Sequence, residues 1–302
     1  EEEHQVKVAF LKSGDTGAAL NRAILSKDAP IADIFYGVDN TFLSRALEEE
    51  IFEPYQSPLL ANIDPKFQLD PSYQALPVDY GDVCINYDRA VFNQNNVPVP
   101  TGFESLTNPL YKDMLVVQNP ATSSPGLAFL LATIAYFGED GYLDYWEALR
   151  NNGVLVVNDW ESAYYGNFSI YAGLENGRPL VVSYATSPAA EVIFAAEELD
   201  QSPTGALTAR GTCFRQIEFA GILKGTQQRE LAEAFIDYML DVDFQADIPL
   251  NMFVYPVNNN VEMPLVFEEN GGLVDEPATL DPELISNKRE EWIQAWDETV
   301  LR

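Results

Sequence analysis

Leu180-Val181-Val182-Ser183-Tyr184-Ala185-Thr186-Ser187-Pro188 is the stretch that decides the fold. Its apolar opening reads as a strand buried on both faces. A polar loop follows, and Pro188 then opens a helix at the first position, where its missing N–H costs nothing. The same unit recurs along the chain. Val6 to Leu11 leads through Lys12-Ser13-Gly14-Asp15-Thr16-Gly17 into a helix from Ala18 to about Ser26. Ala32 to Tyr36 leads through Gly37-Val38-Asp39-Asn40 into a helix over 41–50. Met114 to Val117 leads through Ser123-Ser124 into the helix from Pro125, and Val154 to Asn158 leads through Asp159-Trp160. Alternating strands and helices predict an α/β protein with mostly parallel sheets. Any one of these loops is simply a capped helix start. Five together predict a ligand cleft, because free N–H groups and hydroxyls then gather at the carboxyl edge of the sheet.

A chain of 302 residues exceeds what one core holds, so two lobes are expected. Pro77 to Asp88 and Gly211 to Lys224 are long extended stretches that read as crossings between them. The expected division is 1–82 with 214–302 in lobe one, and 83–213 in lobe two. The final segment, 281–302, reads as a helix opened by Asp281 and Pro282, with Trp292 and Trp296 on its packing face. Cys84 and Cys213 both lie in apolar, strand-like runs far apart in sequence, which predicts two buried thiols rather than a bridge.

The charge balance excludes several functions. Forty-seven acidic residues against 17 basic ones give a net charge of −30, which repels nucleic acid and anionic membranes. The run from Gly126 to Gly138 is too short for a membrane span of about 20 residues. His4 is the only histidine, which argues against a histidine base and against a clustered zinc site. No phosphate-binding glycine loop or metalloprotease motif occurs, and no cofactor is implied. What remains is aromatic and acidic. Tyr36, Tyr80, Trp160, Tyr164, Tyr165, Tyr184, Phe253 and Tyr255 fall in or beside the loops, with Asp15, Asp39, Asp79 and Asp159 among them. Aromatic faces with carboxylates suit a flat cation, at about 0.5–2 kcal/mol per stacked contact.

These residues carry a resemblance. Leu20-Asn21-Arg22, Gly37-Val38-Asp39-Asn40, Asp79-Tyr80-Gly81, Ser123-Ser124-Pro125-Gly126, Trp160, the Ser183-to-Pro188 block, Ile248-Pro249 and Tyr255-Pro256-Val257 run nearly end to end along the chain. In these blocks the chain resembles the extracytoplasmic thiamine-binding proteins of ABC importers, within the type II periplasmic-binding-protein superfamily. The resemblance implies a two-lobed receptor, each lobe a sheet flanked by helices, with the ligand between the lobes. It implies thiamine or a thiamine phosphate as ligand, ABC permease subunits as partners, a monomer, and a place in the periplasm or anchored at the outer face of the membrane. Asp15 and Thr16 would meet the aminopyrimidine. Ser123 and Ser124 would hold the hydroxyethyl or phosphate end. Trp160 with Tyr184, Ala185, Thr186, Ser187 and Pro188 would line the ring site, joined by Asp39, Tyr80 and Tyr164. Phe253 stands where the family often has tryptophan, and Ala190 where it can have a stacking tyrosine. Glu1 to His4 resembles the tail of a helix, so the family's first strand and its loop are expected to be missing. Two alternatives stand beside this reading: a ferric-ion receptor using Tyr164 and Tyr165, and a pyrimidine-processing enzyme on the same fold.

Overall fold

The computed structural model describes residues 6–12, 16–94, 97–173 and 175–302. Its strands among these residues are β1 (Ile34–Asp39), β2 (Phe52–Glu53), β3 (Leu76–Asp88), β4 (Leu115–Gln118), β5 (Leu155–Val157), β6 (Leu180–Tyr184), β7 (Thr204–Leu207), β8 (Phe214–Leu223) and β9 (Tyr255–Pro256). The sheet order is β1-β8-β3-β6-β4-β5, with β2 on β8 and with β7 and β9 on β3. Only β4 pairs in parallel, with β5 and with β6, and the other pairings are antiparallel. The α/β, two-lobed architecture is as expected, but the parallel direction holds only around β4. The crossing strands explain the difference. Each long crossing serves both lobes, so its return partner must run the opposite way.

β3 changes partners midway. Leu76–Val83 pairs with β8, and Val83–Tyr87 pairs with β6, so Val83 faces both Phe214 and Tyr184. Two cores lie on either side of this point. One gathers Leu20, Val38, Phe52, Leu76, Phe219, Ile222 and Ile236, and the other Ile85, Phe103, Val117, Leu130, Trp146 and Val182. The second core is dominated by the helix Ser124–Phe137, which is apolar on every side and buries Leu127, Phe129, Leu130, Leu131 and Ile134. Each of those side chains contributes about 1.5–3 kcal/mol by leaving water. The helix also sits hard against β4. A Cβ on Gly126 would stand 2.6 Å from the Gln118 carbonyl oxygen, so only glycine permits that approach.

Three expectations need correction. Cys84 and Cys213 form a disulfide, with Cα atoms 4.4 Å apart. The antiparallel register pairs Val83 with Phe214 and thereby brings Cys84, which follows Val83, beside Cys213, which precedes Phe214. The final helix, Pro282–Val300, does not join lobe one. Its Ile285, Trp292 and Trp296 pack in the second core, where Trp296 meets Trp146 edge to face at 5.4 Å. Its amphipathic pattern showed which face is buried, not against what. It still reaches back to lobe one, where Arg289 Nη1 donates to the Thr41 carbonyl at 3.0 Å. Lastly, Val6 to Leu11 forms no strand, and Phe10 is 87% exposed.

Candidate functional site

A cleft of about 350 Å3 opens between the lobes at the loops that follow the strands. Lobe one supplies Thr16, Ala19, the Phe35–Gly37 stretch of β1, and Gln216 and Glu218 of β8. Lobe two supplies Ser124 and Pro125 at a helix start, Trp160 at another, and Tyr184 at the end of β6.

The aromatic wall is rigidly held. Asp159 caps the helix Trp160–Asn167 by accepting from the Ser162 amide at 2.7 Å, which fixes where Trp160 leaves the backbone. The indole Nε1–H donates to Ser183 Oγ at 2.9 Å, and Ser183 Oγ lies 2.9 Å from Ser187 Oγ. One indole face stacks on Tyr164 at 4.9 Å with a 15° tilt. Tyr164 is fixed in turn by its hydroxyl, which donates to Glu191 at 2.6 Å. The indole is thus fixed on the cleft wall, with Tyr165 set edge-on to it at 5.4 Å.

A polar relay crosses the cleft floor. The Tyr184 hydroxyl donates to Gln216 Oε1 at 3.2 Å, and Gln216 Nε2 donates to Asp39 Oδ2 at 2.8 Å. Asp39 Oδ1 accepts from the Thr41 amide and hydroxyl at 2.7 and 2.5 Å. Burial raises the Asp39 pKa, and the Thr41, Ser124 and Gln216 contacts work against that rise. Asp79 accepts from the Tyr36 hydroxyl. Burial pushes Asp79 up to about 7, against the lowering effect of that hydrogen bond. Glu218 is raised by burial first and then by the charges of Asp79 and Asp39. Tyr36 is raised by burial and then by the charges of Asp79 and Glu218.

Of the residues expected at the site, Thr16, Ser124, Trp160 and Tyr184 line the cleft. Asp39 lies one layer behind, fully buried. Ser123 is buried, and its hydroxyl has no partner among the described residues. Tyr80 is stacked between Phe67 at 4.6 Å and Tyr255 at 5.2 Å, away from the cleft. The loop beyond Tyr184 supports the site from behind. Ala185 packs in a cluster with Cys84 and Cys213, Ser187 bonds Ser183, and Pro188 is buried. Thr186 and Phe253 meet across the lobes instead, the Thr186 hydroxyl donating to the Phe253 carbonyl at 2.5 Å. Phe253 adopts a left-handed backbone, with φ of 59°, at the end of the helix Val242–Met252, and its ring rests on Phe194 at 4.8 Å. Asp15 lies outside the described residues.

Neither Tyr164 nor Tyr165 lines the cleft. Tyr164 is buried on Glu191, its pKa raised by burial and then by that carboxylate, while Tyr165 is 52% exposed and off the cleft. Among the described residues no group of three or more His, Cys, Asp or Glu side chains could hold a metal ion. Gln216 and Glu218 escaped the sequence reading. Their alternation with Ile217 in an apolar run was the available signal, since alternate residues of a strand share a face.

Residues 29–270 match the family of bacterial extracellular solute-binding proteins. The chain belongs to that family. This solute-binding protein is 30% identical over 301 residues to the thiamine-binding periplasmic protein of Salmonella typhimurium, covering 99% of this chain and 85% of that one. A solved periplasmic thiamin binding protein superposes with a TM-score of 0.81 at 27% identity, over 96% of this chain and 85% of the other. A ferric binding protein from Campylobacter jejuni shares the fold, with a TM-score of 0.78 at 17% identity, over 99% of this chain and 92% of the other. The type II periplasmic-binding fold is thus the fold of this chain. A disulfide between the crossing strands fits the oxidising, extracytoplasmic setting of the family.

Proposed function

We propose that this protein is the thiamine receptor of an ABC importer, capturing the vitamin outside the cytoplasm and handing it unchanged to permease subunits as a monomer. The observation that carries the reading is the pairing of a pre-set indole, Trp160, with the acidic floor at Glu218 across one cleft. A planar ring bearing a fixed positive charge is the ligand such walls favour. A volume of about 350 Å3 lies at the lower end of small-molecule sites, which suits a two-ring vitamin. The sequence likeness to thiamine-binding relatives, at 30% over nearly the whole chain, points the same way.

Closure is a hinge motion about β3 and β8, with the ligand favouring the closed state through contacts to both lobes. The Thr186–Phe253 hydrogen bond is one contact that joins the lobes directly. Among the described residues lining the cleft there is no lysine or arginine, so free thiamine should bind more tightly than its phosphates. A phosphate would find only Ser124 and a helix start.

Calorimetric titration with thiamine, its monophosphate and its diphosphate is the deciding experiment. Thiamine should bind one to one and be recovered intact. Trp160→Ala should weaken binding by about tenfold or more, as expected for losing a stacked contact near 2 kcal/mol. Failure of all three compounds to bind the native protein would overturn the reading.

A further inference from the structure

Three carboxylates stand in one row across the lobe-one sheet. Asp39 on β1 is paired with Glu218 on β8, and Glu218 is paired with Asp79 on β3. Directly opposed residues share a face, so all three side chains lie toward the cleft side of the sheet. Their environments differ. Asp39 is satisfied by Thr41 and Gln216. Asp79 is 1% exposed and holds only the Tyr36 hydroxyl on one oxygen, while its other oxygen, Oδ1, is buried without a partner among the described residues. Glu218 forms part of the cleft wall, and none of the hydrogen bonds or ion pairs among the described residues involves it.

No cation balances this row from any described wall of the cleft. From β1 come Tyr36 and Asp39, and from β3 comes Asp79. The helix Thr16–Leu25 brings Thr16 and Ala19. Lobe two brings Ser124, Pro125, Trp160 and Tyr184. Arg215, beside Gln216 on β8, is held by Asp82 through two bonds at 2.9 and 2.8 Å. Asp79 is dehydrated and the half-buried Glu218 lies beside it with no counter-ion among the described residues, so the two cannot both ionise at little cost and one proton stays with the pair.

We propose that the row is the cation-recognising element of the cleft, in which Glu218 meets the ligand's positive ring and the proton held between Glu218 and Asp79 is released when that ring arrives. The step balances. One carboxyl O–H bond breaks, its proton goes to bulk water, and the ligand's fixed charge takes the proton's place. Tyr36 keeps donating to Asp79 throughout, so the newly formed carboxylate is not left bare. Burial raises Asp79, and burial followed by the charges of Asp79 and Asp39 raises Glu218, which makes the proton of this adjacent pair available near neutrality. The sign follows directly: affinity rises with pH while the pair still holds its proton, and levels off once the free protein has lost it. This rests on the cleft being the site of a thiazolium-bearing ligand, and it adds how the charge is read.

The experiment is titration of the native protein with thiamine between about pH 6 and 8.5, in phosphate and in Tris, whose ionisation heats differ. Buffer-dependent heat should show release of up to one proton per thiamine at the acid end, fading at the alkaline end. Affinity should climb by as much as about tenfold per pH unit over the same window. Glu218→Gln should abolish the release and weaken thiamine by about tenfold or more, while sparing an analogue whose thiazolium is replaced by a neutral phenyl ring. Asp79→Asn provides a second variant that keeps the Glu218 carboxyl, and its thiamine affinity should climb less steeply with pH than that of the native protein. A flat profile with buffer-independent heat, or equal losses for both ligands in Glu218→Gln, overturns the proposal while leaving the receptor reading intact. If thiamine itself does not bind, the ligand assignment falls and N-methylpyridinium becomes the probe. Its binding with proton release sustains the row as a cation site, and no binding overturns it.

Discussion

Opening the Cys84–Cys213 disulfide should destabilise the protein without disabling its cleft. The two sulfurs close a loop of 129 positions, and in the chain-entropy description such a closure removes about 5 kcal/mol of unfolded-state freedom at room temperature. Unfolding entropy near the midpoint is about 2.1 cal/mol/K per residue, or roughly 0.6 kcal/mol/K for a chain of 302 residues. The midpoint should therefore fall by about 8 °C. The native state should change little, because β3 and β8 are already joined by the Leu76–Val83 ladder beside the bridge. Scanning calorimetry of the oxidised protein, the reduced protein and the Cys84→Ala/Cys213→Ala double variant measures the drop. Thiamine titration of the same samples should give affinities within about threefold of one another, a difference of less than 1 kcal/mol. A shift below about 2 °C would refute the loop argument. A collapse of affinity at unchanged midpoint would instead show that the bridge holds the Tyr184–Pro188 loop in place through Ala185.

Two further outcomes follow from the described contacts. Asp79 and Glu218 have folded pKa values raised above those of unfolded carboxylates, near 4, so the folded state holds extra protons between about pH 4 and 7. That contribution is present in full below the unfolded value and is lost as pH rises through the folded one. The unliganded protein should thus melt several degrees higher at pH 5.5 than at pH 8, and Asp79→Asn should flatten the difference, which separates the pair from relief of the overall charge. Gly126→Ala should lower the midpoint despite alanine's better helix propensity, worth about 1 kcal/mol, because the new methyl would overlap the Gln118 carbonyl at a cost of about 1–3 kcal/mol. A midpoint raised by this substitution would contradict the close approach of helix and strand.

Much of the site could be read in the chain because local rules place it. Trp160 and Ser124 stand at helix starts, and Tyr184 ends a buried apolar run, so their positions at the sheet edge follow from short-range pattern. Glu218 and the disulfide could not be read that way. Each depends on the register of β8 against strands well over a hundred residues upstream, and alternation along one strand does not reveal which face looks into a cleft. Thr186 and Phe253 carry the residue types of a binding loop, but their side-by-side placement is a property of two lobes meeting. The segment Val6 to Leu11 has the composition of a strand, yet composition supplies no pairing partner. The final helix shows the same limit, since an apolar stripe can be satisfied by either lobe.

The four tryptophans are unevenly placed. Trp146, Trp292 and Trp296 are sealed together in the second core, whereas Trp160 alone among them lines the cleft. Three emitters are therefore shielded from whatever enters, and the fourth would lie against it. Intrinsic fluorescence should contain a constant blue-shifted background and one responsive component, so a bound ring would be seen as a partial change in intensity rather than a shift of the whole spectrum. The protein carries its own optical gauge of occupancy, usable without a dye or a label.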